Sequence, residues 1–168
     1  MSKAIFVGSF DPWHNGHTDR LKNALKIFDK VVVVVADNTT KKAYWFNQEE
    51  RAKMVKKCVE HFGDKVIVKL AGTKMIQDIC HEEGIFNVFR GVKAGRTFEE
   101  EMRIQIATNY LSKQEYGEEI FFVYDITSEE DFRGSSIVKT LLLSNKDVST
   151  LVPECIILDL KERAMIYG

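Results

Sequence analysis

The chain has 168 residues, of which 45% are hydrophobic and 29% are charged, and its formal net charge is −1. This length and composition are typical of a soluble globular protein, and a single domain over residues 1–168 is expected. The near-neutral charge argues against a broad electrostatic affinity for nucleic acid or for an anionic membrane surface.

The three cysteines, Cys58, Cys80 and Cys155, are widely spaced and show no metal-ligand pattern. We therefore expect reduced thiols in a cytoplasmic protein, and neither a disulfide framework nor a structural zinc site. The chain contains no apolar stretch of transmembrane length, and its N-terminus lacks the features of a secretory signal.

Five short apolar runs predict β-strands over residues 4–7, 31–35, 66–70, 85–89 and 120–124. The second of these is an uninterrupted run of valines from Val31 to Val35. Such a run is typical of a central parallel strand that is covered on both faces.

Helical spacing of apolar residues and helix-start signals predict helices between these strands. Asn47 with Glu50, and Thr97 with Glu100, resemble capping boxes, and Gly84 is expected to end the third helix. The predicted helices cover residues 15–28, 47–62, 73–83, 97–112 and 135–144, and Pro153 is predicted in the first turn of a last helix. This alternation predicts an α/β fold with a Rossmann-like, doubly wound parallel sheet of five strands. Ligands of such folds bind beyond the carboxyl ends of the strands, near a topological switch point.

The segment from Gly8 to His17 reads GSFDPWHNGH and joins the first predicted strand to the first predicted helix. A helix N-terminus presents unpaired N–H groups and a partial positive charge to an anion. Gly16 would let a phosphate approach the backbone closely, and His14 and His17 would add hydrogen-bond donors. A lone histidine here would more often be a helix cap. Two histidines flanking a glycine favour a phosphate site.

The same segment resembles the HxGH signature of the nucleotidyltransferase superfamily, in the extended form GxFDPxHxGH. Three further segments resemble the phosphopantetheine adenylyltransferase family. They are the lysine loop DNTTKK at 37–42 with EER at 49–51, FRGVK at 89–93 with FEEE at 98–101, and RGSSIVK at 133–139. The resemblance covers nearly the whole chain in the right order. It implies an enzyme that transfers AMP from ATP to 4′-phosphopantetheine, giving dephospho-coenzyme A and pyrophosphate.

The resemblance also implies roles for individual residues. His17 would stabilise the transition state at the α-phosphate, and His14, Lys41 and Arg90 complete the expected catalytic set. The acceptor would be bound by Ser9, Lys41 and Arg90 at its phosphate and by Ile76 along its pantetheine arm. ATP would be bound by Ser9, Phe10, His17, Gly91, Val92, Lys93, Glu101, Glu130, Arg133, Gly134, Ser135 and Ser136.

The same resemblance implies Mg²⁺ carried with ATP, a homohexamer, and coenzyme A as a candidate feedback inhibitor. Five positions depart from the family pattern: His14 stands for a threonine, Lys93 for an arginine, Glu100 for a tyrosine, and Arg133 with Gly134 for part of a serine run. Lysine and arginine are not equivalent at a bidentate phosphate site. Two alternatives therefore stay open, namely nucleotidyl transfer to another phosphate acceptor such as nicotinamide mononucleotide, and a nucleotide-binding regulator with impaired catalysis.

Single residues also have plainer interpretations. Lys41 and Lys42 could be solvated loop charges, and Glu101 could complement the dipole of a helix at its first turn. His61 and His81 are expected at the surface. Trp13 and Trp45 flank the proposed site in sequence and are expected to pack in the interior, with an interface or a pocket wall as the alternative.

Overall fold

The computed structural model describes residues 1–38, 43–93, 96–127 and 132–167, with the backbone alone for residues 93, 96 and 97. Its strands are β1 (Lys3–Gly8), β2 (Lys30–Val35), β3 (Val66–Leu70), β4 (Asn87–Lys93) and β5 (Phe121–Thr127). Its α-helices are α1 (Asn15–Ile27), α2 (Gln48–Val59), α3 (Ile76–Glu83), α4 (Arg96–Glu115), α5 (Ser135–Leu143) and α6 (Ile157–Tyr167). Short 3₁₀ turns cover Glu60–Lys65 and Glu154–Ile156. Within the described ranges, no helix is both long and apolar enough to cross a bilayer.

The strands form one parallel sheet in the order β3-β2-β1-β4-β5. The chain moves from β1 outward to β3 and then returns to the other side of β1 with β4. The switch point therefore lies between β1 and β4. The predicted doubly wound α/β fold is confirmed.

Strand β2 shows why the valine run is continuous. Val31, Val33 and Val35 belong to an apolar cluster shared with α1, α2, α5 and α6. Val32 and Val34 belong to a second cluster, on the other face, shared with α3. Because successive side chains of a strand point to opposite faces, helices on both sides require every residue of β2 to be apolar.

The pairing between β1 and β4 is short, and this opens the carboxyl edge of the sheet. It ends at Phe6 and Phe89, whereas β1 continues against β2 to Gly8 and β4 continues against β5 to Lys93. The two central strands therefore part at the switch point. In the gap, the guanidinium of Arg90 donates to the carbonyl of Val7 over 3.1 Å.

Some predicted strand ends are wrong. Strand β4 runs over Asn87–Lys93 rather than 85–89, and β5 runs over Phe121–Thr127 rather than 120–124. The strands continue beyond the apolar runs because the charged side chains there have hydrogen-bonding partners. Arg90 pairs with Glu101, and Asp125 accepts from Asn23.

Several helix ends also differ from the prediction. Helix α3 begins at Ile76 rather than at residue 73. At this start, the carboxylate of Asp78 accepts the N–H of Met75 over 2.9 Å. Helix α2 ends at Val59 and continues as a 3₁₀ turn, and α4 extends to Glu115. Pro153 lies just before a 3₁₀ turn that leads into α6, rather than in the first turn of that helix.

Two helix-end predictions are confirmed. The side chain of Asn47 accepts the N–H of Glu50, and the side chain of Glu50 accepts the N–H of Asn47, each over 2.8 Å. Gly84 ends α3 with a φ of 60°, a left-handed conformation that costs glycine little. The side chain of Thr97 lies outside the described residues, so the second predicted capping box stays a prediction.

Candidate active site

The junction between β1 and α1 holds two histidines through backbone hydrogen bonds. The N–H of Gly16 donates to Nδ1 of His14 over 3.1 Å, and the N–H of His14 donates to Nδ1 of His17 over 3.2 Å. A neutral histidine whose Nδ1 accepts a hydrogen bond carries its proton on Nε2. Both histidines are therefore set as Nε2–H donors at the start of α1, with ring centroids 3.7 Å apart.

Aromatic rings brace His17. The ring of Phe10 meets it edge-on with centroids 5.0 Å apart, and the ring of Trp13 lies 5.2 Å away. Trp13 is fully buried, as predicted, and its indole N–H donates to the hydroxyl of Thr18 over 2.8 Å. The imidazole of His17 therefore cannot swing freely, so its donor is oriented before any ligand arrives.

The N-terminus of α5 lies beside the N-terminus of α1. The hydroxyl of Ser135 donates to the carbonyl of Pro12 over 2.8 Å, and Arg133 pairs with Asp19 over 2.5 Å. A Cβ built on Gly16 would lie 3.7 Å from Cβ of Arg133. Two helix N-termini thus meet at the end of β1. The expectation of unpaired N–H groups at the start of α1 is wrong, because those of Asn15 and Gly16 donate to the carbonyl of Leu151 and to Nδ1 of His14. An anion there would meet the helix dipoles and the imidazole donors.

Arg90 and Glu101 form a bidentate ion pair. Nε and one terminal nitrogen of Arg90 each donate to a separate carboxylate oxygen of Glu101 over 2.7 Å. The two side chains are 18% and 15% exposed. In the structure, the anionic partner of Arg90 is therefore this carboxylate. Nearby, burial raises the pKa of Tyr124, and the negative charge of Glu101 raises it further.

A buried arginine that the sequence did not reveal lies against the crevice, which is the gap between β1 and β4 beyond Phe6 and Phe89. Arg20 of α1 donates to the hydroxyl of Thr127 over 3.1 Å. A Cβ built on Gly91 would come within 1.9 Å of Cδ and Nε of Arg20, so Gly91 must stay a glycine unless this side chain moves. The available signal was its spacing, because Arg20 stands one turn after His17 on the motif helix.

Asp11 was also missed, although it stands inside the motif. Its fully buried carboxylate accepts the N–H groups of Trp45 and Phe46, each over 3.1 Å. It also forms an ion pair with Lys139 of α5. Asp11 therefore connects the motif to the segment before α2 and to α5.

Arg51 is the central brace at the ends of β1 and β2. It is almost fully buried and donates to the carbonyls of Ser9 (2.7 Å), Ala36 (3.1 Å) and Phe46 (3.0 Å). It also pairs with Asp37. The EER segment, recognised only as a family feature, thus contributes an arginine that shapes the site without facing it.

The remaining predicted site residues are spread along the same edge. Ile76 is half-buried at the start of α3 and packs against the second apolar cluster. Val92 is buried within β4, Gly134 is the N-cap of α5, and Ser136 is exposed in its first turn. Lys41, Glu130 and the side chain of Lys93 lie outside the described residues, so their predicted roles stay predictions.

The expected positions of Trp45, His61 and His81 are confirmed. Trp45 is buried and stacks on Tyr167, with centroids 5.4 Å apart and planes at 4°. His61 and His81 are exposed. No cluster of three or more histidine, cysteine or acidic side chains that could hold a metal ion occurs among the described residues.

A parallel sheet of this order, with an HxGH junction at its switch point, is the arrangement of a nucleotidyltransferase. The family model described as "Cytidylyltransferase-like" matches residues 5–141. A phosphopantetheine adenylyltransferase of Nautilia profundicola is 38% identical over 160 residues, which cover 95% of this chain and 99% of that protein. One from Finegoldia magna is 35% identical, with 96% of each chain covered. The chain therefore belongs to the phosphopantetheine adenylyltransferase family, within the cytidylyltransferase-like proteins, as the motifs predicted.

A solved structure shares the fold. It is described as a "Putative Nicotinate-nucleotide Adenylyltransferase" from Vibrio parahaemolyticus. The two structures align with a TM-score of 0.61 over 98% of this chain and 99% of that one, at 16% sequence identity. At this identity the likeness concerns the fold alone.

Proposed function

We propose that this chain transfers the adenylyl group of ATP to 4′-phosphopantetheine, giving dephospho-coenzyme A and pyrophosphate. The observation that carries the proposal is the similarity, over nearly the full length, to proteins named phosphopantetheine adenylyltransferase. The site supports the reaction type, because oriented donors and two helix N-termini meet where a polyphosphate would lie.

In the proposed reaction, a phosphate oxygen of the acceptor attacks the α-phosphorus of ATP in line. The new P–O bond forms while the bond from the α-phosphorus to the bridging oxygen breaks, and pyrophosphate leaves with that oxygen. The enzyme forms no covalent intermediate. Its contribution is positioning and stabilisation of the negative charge on the phosphoryl oxygens, which the Nε2–H donors of His14 and His17 would provide.

Arg90 and Lys41 are proposed to bind the phosphate of the acceptor. Arg90 is held by Glu101 in the structure, so an incoming phosphate would take over donors that the carboxylate now occupies. Glu101 is then available to the nucleotide, in line with its proposed role at ATP.

The other proposed contacts follow the family pattern. Ser9 would serve both substrates, and Ile76 would line the pantetheine arm. The ATP contacts would come from Phe10, His17, Gly91, Val92, Lys93, Glu130, Arg133, Gly134, Ser135 and Ser136.

Magnesium is proposed to enter with ATP. The described site offers cations and N–H donors, which suit phosphate oxygens rather than a metal ion. When bound with ATP, Mg²⁺ would neutralise negative charge on the polyphosphate.

A homohexamer, a cytoplasmic location and feedback inhibition by coenzyme A complete the proposal. Large apolar side chains of α4 and of edge strand β5 are exposed and support association: Ile106, Tyr110, Phe121 and Ile126. The three cysteines are few and widely spaced in the sequence, which supports a compartment where thiols stay reduced. Light scattering after gel filtration and inhibition assays with coenzyme A test the first and last points.

The decisive experiment measures pyrophosphate release from ATP with a panel of acceptors. We expect turnover with 4′-phosphopantetheine, identification of dephospho-coenzyme A by mass spectrometry, and little turnover with nicotinamide or nicotinate mononucleotide. Preference for a mononucleotide would replace the acceptor but keep the chemistry. ATP binding without turnover on any acceptor would favour an impaired regulator. His81→Ala, a change at an exposed histidine of α3, is the matched control for His17→Ala.

A further inference from the structure

We propose that Lys139 is a positioning residue, which acts through the buried carboxylate of Asp11 to hold three elements of the site in one arrangement. These elements are the motif segment from Gly8 to His17, the segment 43–47 before α2, and the N-terminus of α5. The inference rests on the proposed function, in which α5 binds ATP and the loop ending at residue 42 binds the acceptor phosphate.

Asp11 is held by groups from two other elements of the site. Its carboxylate is fully buried, and its three hydrogen-bonded partners are the N–H of Trp45, the N–H of Phe46 and the ammonium of Lys139. A buried carboxylate is tolerated only when it is paired and hydrogen-bonded. Lys139 supplies the positive charge among these partners, so the position of Asp11 depends on it.

Lys139 lies on the face of α5 that contacts the motif segment. Ser135 and Lys139 are four residues apart and therefore lie one above the other on the same face. Ser135 donates to the carbonyl of Pro12, and Lys139 pairs with the adjacent Asp11. Two consecutive turns of α5 are thus attached to the motif, which sets how close the N-terminus of α5 lies to that of α1.

The segment 43–47, whose N–H groups donate to Asp11, is also bound by two arginines. The carbonyl of Trp45 accepts from Arg163 over 2.7 Å, and the carbonyl of Phe46 accepts from Arg51 over 3.0 Å. The ammonium of Lys139 also lies 5.5 Å from the centre of the Trp45 ring. Arg163 and Arg51 hold this segment independently of Asp11. A shift of Asp11 would therefore move the motif segment and α5 relative to the segment 43–47.

The test compares Lys139→Met with Lys139→Arg. Methionine keeps the length and packing of the side chain but removes the charge, whereas arginine keeps the charge. We expect Lys139→Met to lower kcat at saturating substrates about 10- to 100-fold, in line with the cost of misplacing reacting groups by about 1 Å. It should also weaken ATP binding in calorimetry. Lys139→Arg should retain most of the wild-type kcat and ATP affinity.

The matched control is Lys57→Met. Lys57 pairs with Asp159 over 2.7 Å and also joins two helices, but both side chains are well exposed and neither touches the motif. We expect its kcat and ATP affinity to stay within about twofold of the wild type, as is usual for exposed pairs.

A second comparison asks whether Lys139 acts through Asp11. In Asp11→Asn, the positioning carboxylate is already lost, so adding Lys139→Met should cost little more than Asp11→Asn alone. This double variant carries no unpaired buried carboxylate, so it also remains informative if Lys139→Met alone does not fold.

Three results would overturn the proposal: a Lys139→Met protein with reduced thermal stability but normal kcat and ATP affinity, no rescue by arginine, or fully additive effects with Asp11→Asn. The first would mean that the pair contributes to stability alone. Absence of pyrophosphate release by the wild type would instead contradict the proposed function, and the ATP affinities would still decide the role of Lys139.

Discussion

The strand-to-helix junctions on the two sides of the crevice hold their functional groups in different ways. At the β1–α1 junction, His14 and His17 are oriented by backbone N–H groups and by packed rings. On the β4 side, Arg90 is oriented by the side chain of Glu101, in a pair that remains partly exposed. The histidines are oriented before a ligand binds. Arg90, in contrast, must exchange the carboxylate of Glu101 for the phosphate of the ligand. We therefore expect the β1–α1 junction to govern turnover and the β4 side to govern acceptor affinity.

The strongest test of this contrast is His17→Ala. Removing one preorganised donor to a developing charge typically lowers kcat by about 10²–10³-fold. Affinity for ATP should change much less, because the helix N-termini of α1 and α5 remain. Stopped-flow pyrophosphate release and calorimetry measure the two quantities. Equal turnover in His17→Ala and in the control His81→Ala would remove His17 from the mechanism.

Arg90→Ala tests the other side. Hydrogen bonds to charged groups contribute about 1.5–3 kcal/mol, so the dissociation constant of 4′-phosphopantetheine should rise about 10- to 100-fold, with little change for ATP. Glu101→Gln keeps the shape of the partner but removes its charge, and should make Arg90 easier to recruit. Calorimetric titration that finds unchanged acceptor affinity in Arg90→Ala would show that Arg90 serves another ligand.

Gly91→Ala tests whether the two sides are packed against each other. The new methyl group would collide with the buried side chain of Arg20, and such overpacking costs about 1–3 kcal/mol. Urea denaturation measures the loss of unfolding free energy. Gly134→Ala is the matched control, since a Cβ there meets no atom within 4 Å, and its effect should be limited to the loss of a glycine N-cap, at most about 1 kcal/mol. Equal stability of both variants would mean that Arg20 is free to move aside.

The smallest expected effect concerns the support behind the β1–α1 junction. The N–H of Asn47 and then the Arg163 guanidinium hold the pKa of Glu50 below its ordinary value. A lowered folded-state pKa gives stability that is present above the unfolded pKa and is lost as pH falls through the folded value. Glu50→Gln should therefore flatten the acid side of a plot of Tm against pH.

A control for this measurement lies just after α4, in the turn that follows Glu115. The hydrogen bond to Asp78 raises the pKa of Tyr116 to about 12. A raised pKa gives stability that is present below the unfolded value and is lost as pH rises through the folded one. Tyr116→Phe should therefore alter the alkaline side of the plot and leave its acid side unchanged. An acid limb that is identical in Glu50→Gln and the wild type would mean that Glu50 does not support α2.

The fold could be predicted well because its signals are local. The valine run of β2, the Asn47–Glu50 capping box and Gly84 each act over a few residues, and each was found where the sequence placed it. Strand ends were less predictable, since β4 continues past its apolar run through Arg90, whose charge is paired with Glu101 on the following helix. Charge along a strand cannot reveal the partner that makes it tolerable.

The site divides in the same way. The sequence by itself determined the HxGH junction, the family and the fold class, because a contiguous motif and a periodic pattern need no knowledge of distant contacts. Only the tertiary structure decided which groups hold that junction in place. Asp11 and Lys139 are 128 residues apart, and Arg51 reaches Ser9 across 42 residues. The structure also decided that β1 and β4 part beyond Phe6 and Phe89, because strand register follows from helices packing on both faces of the sheet and is not encoded in either strand alone.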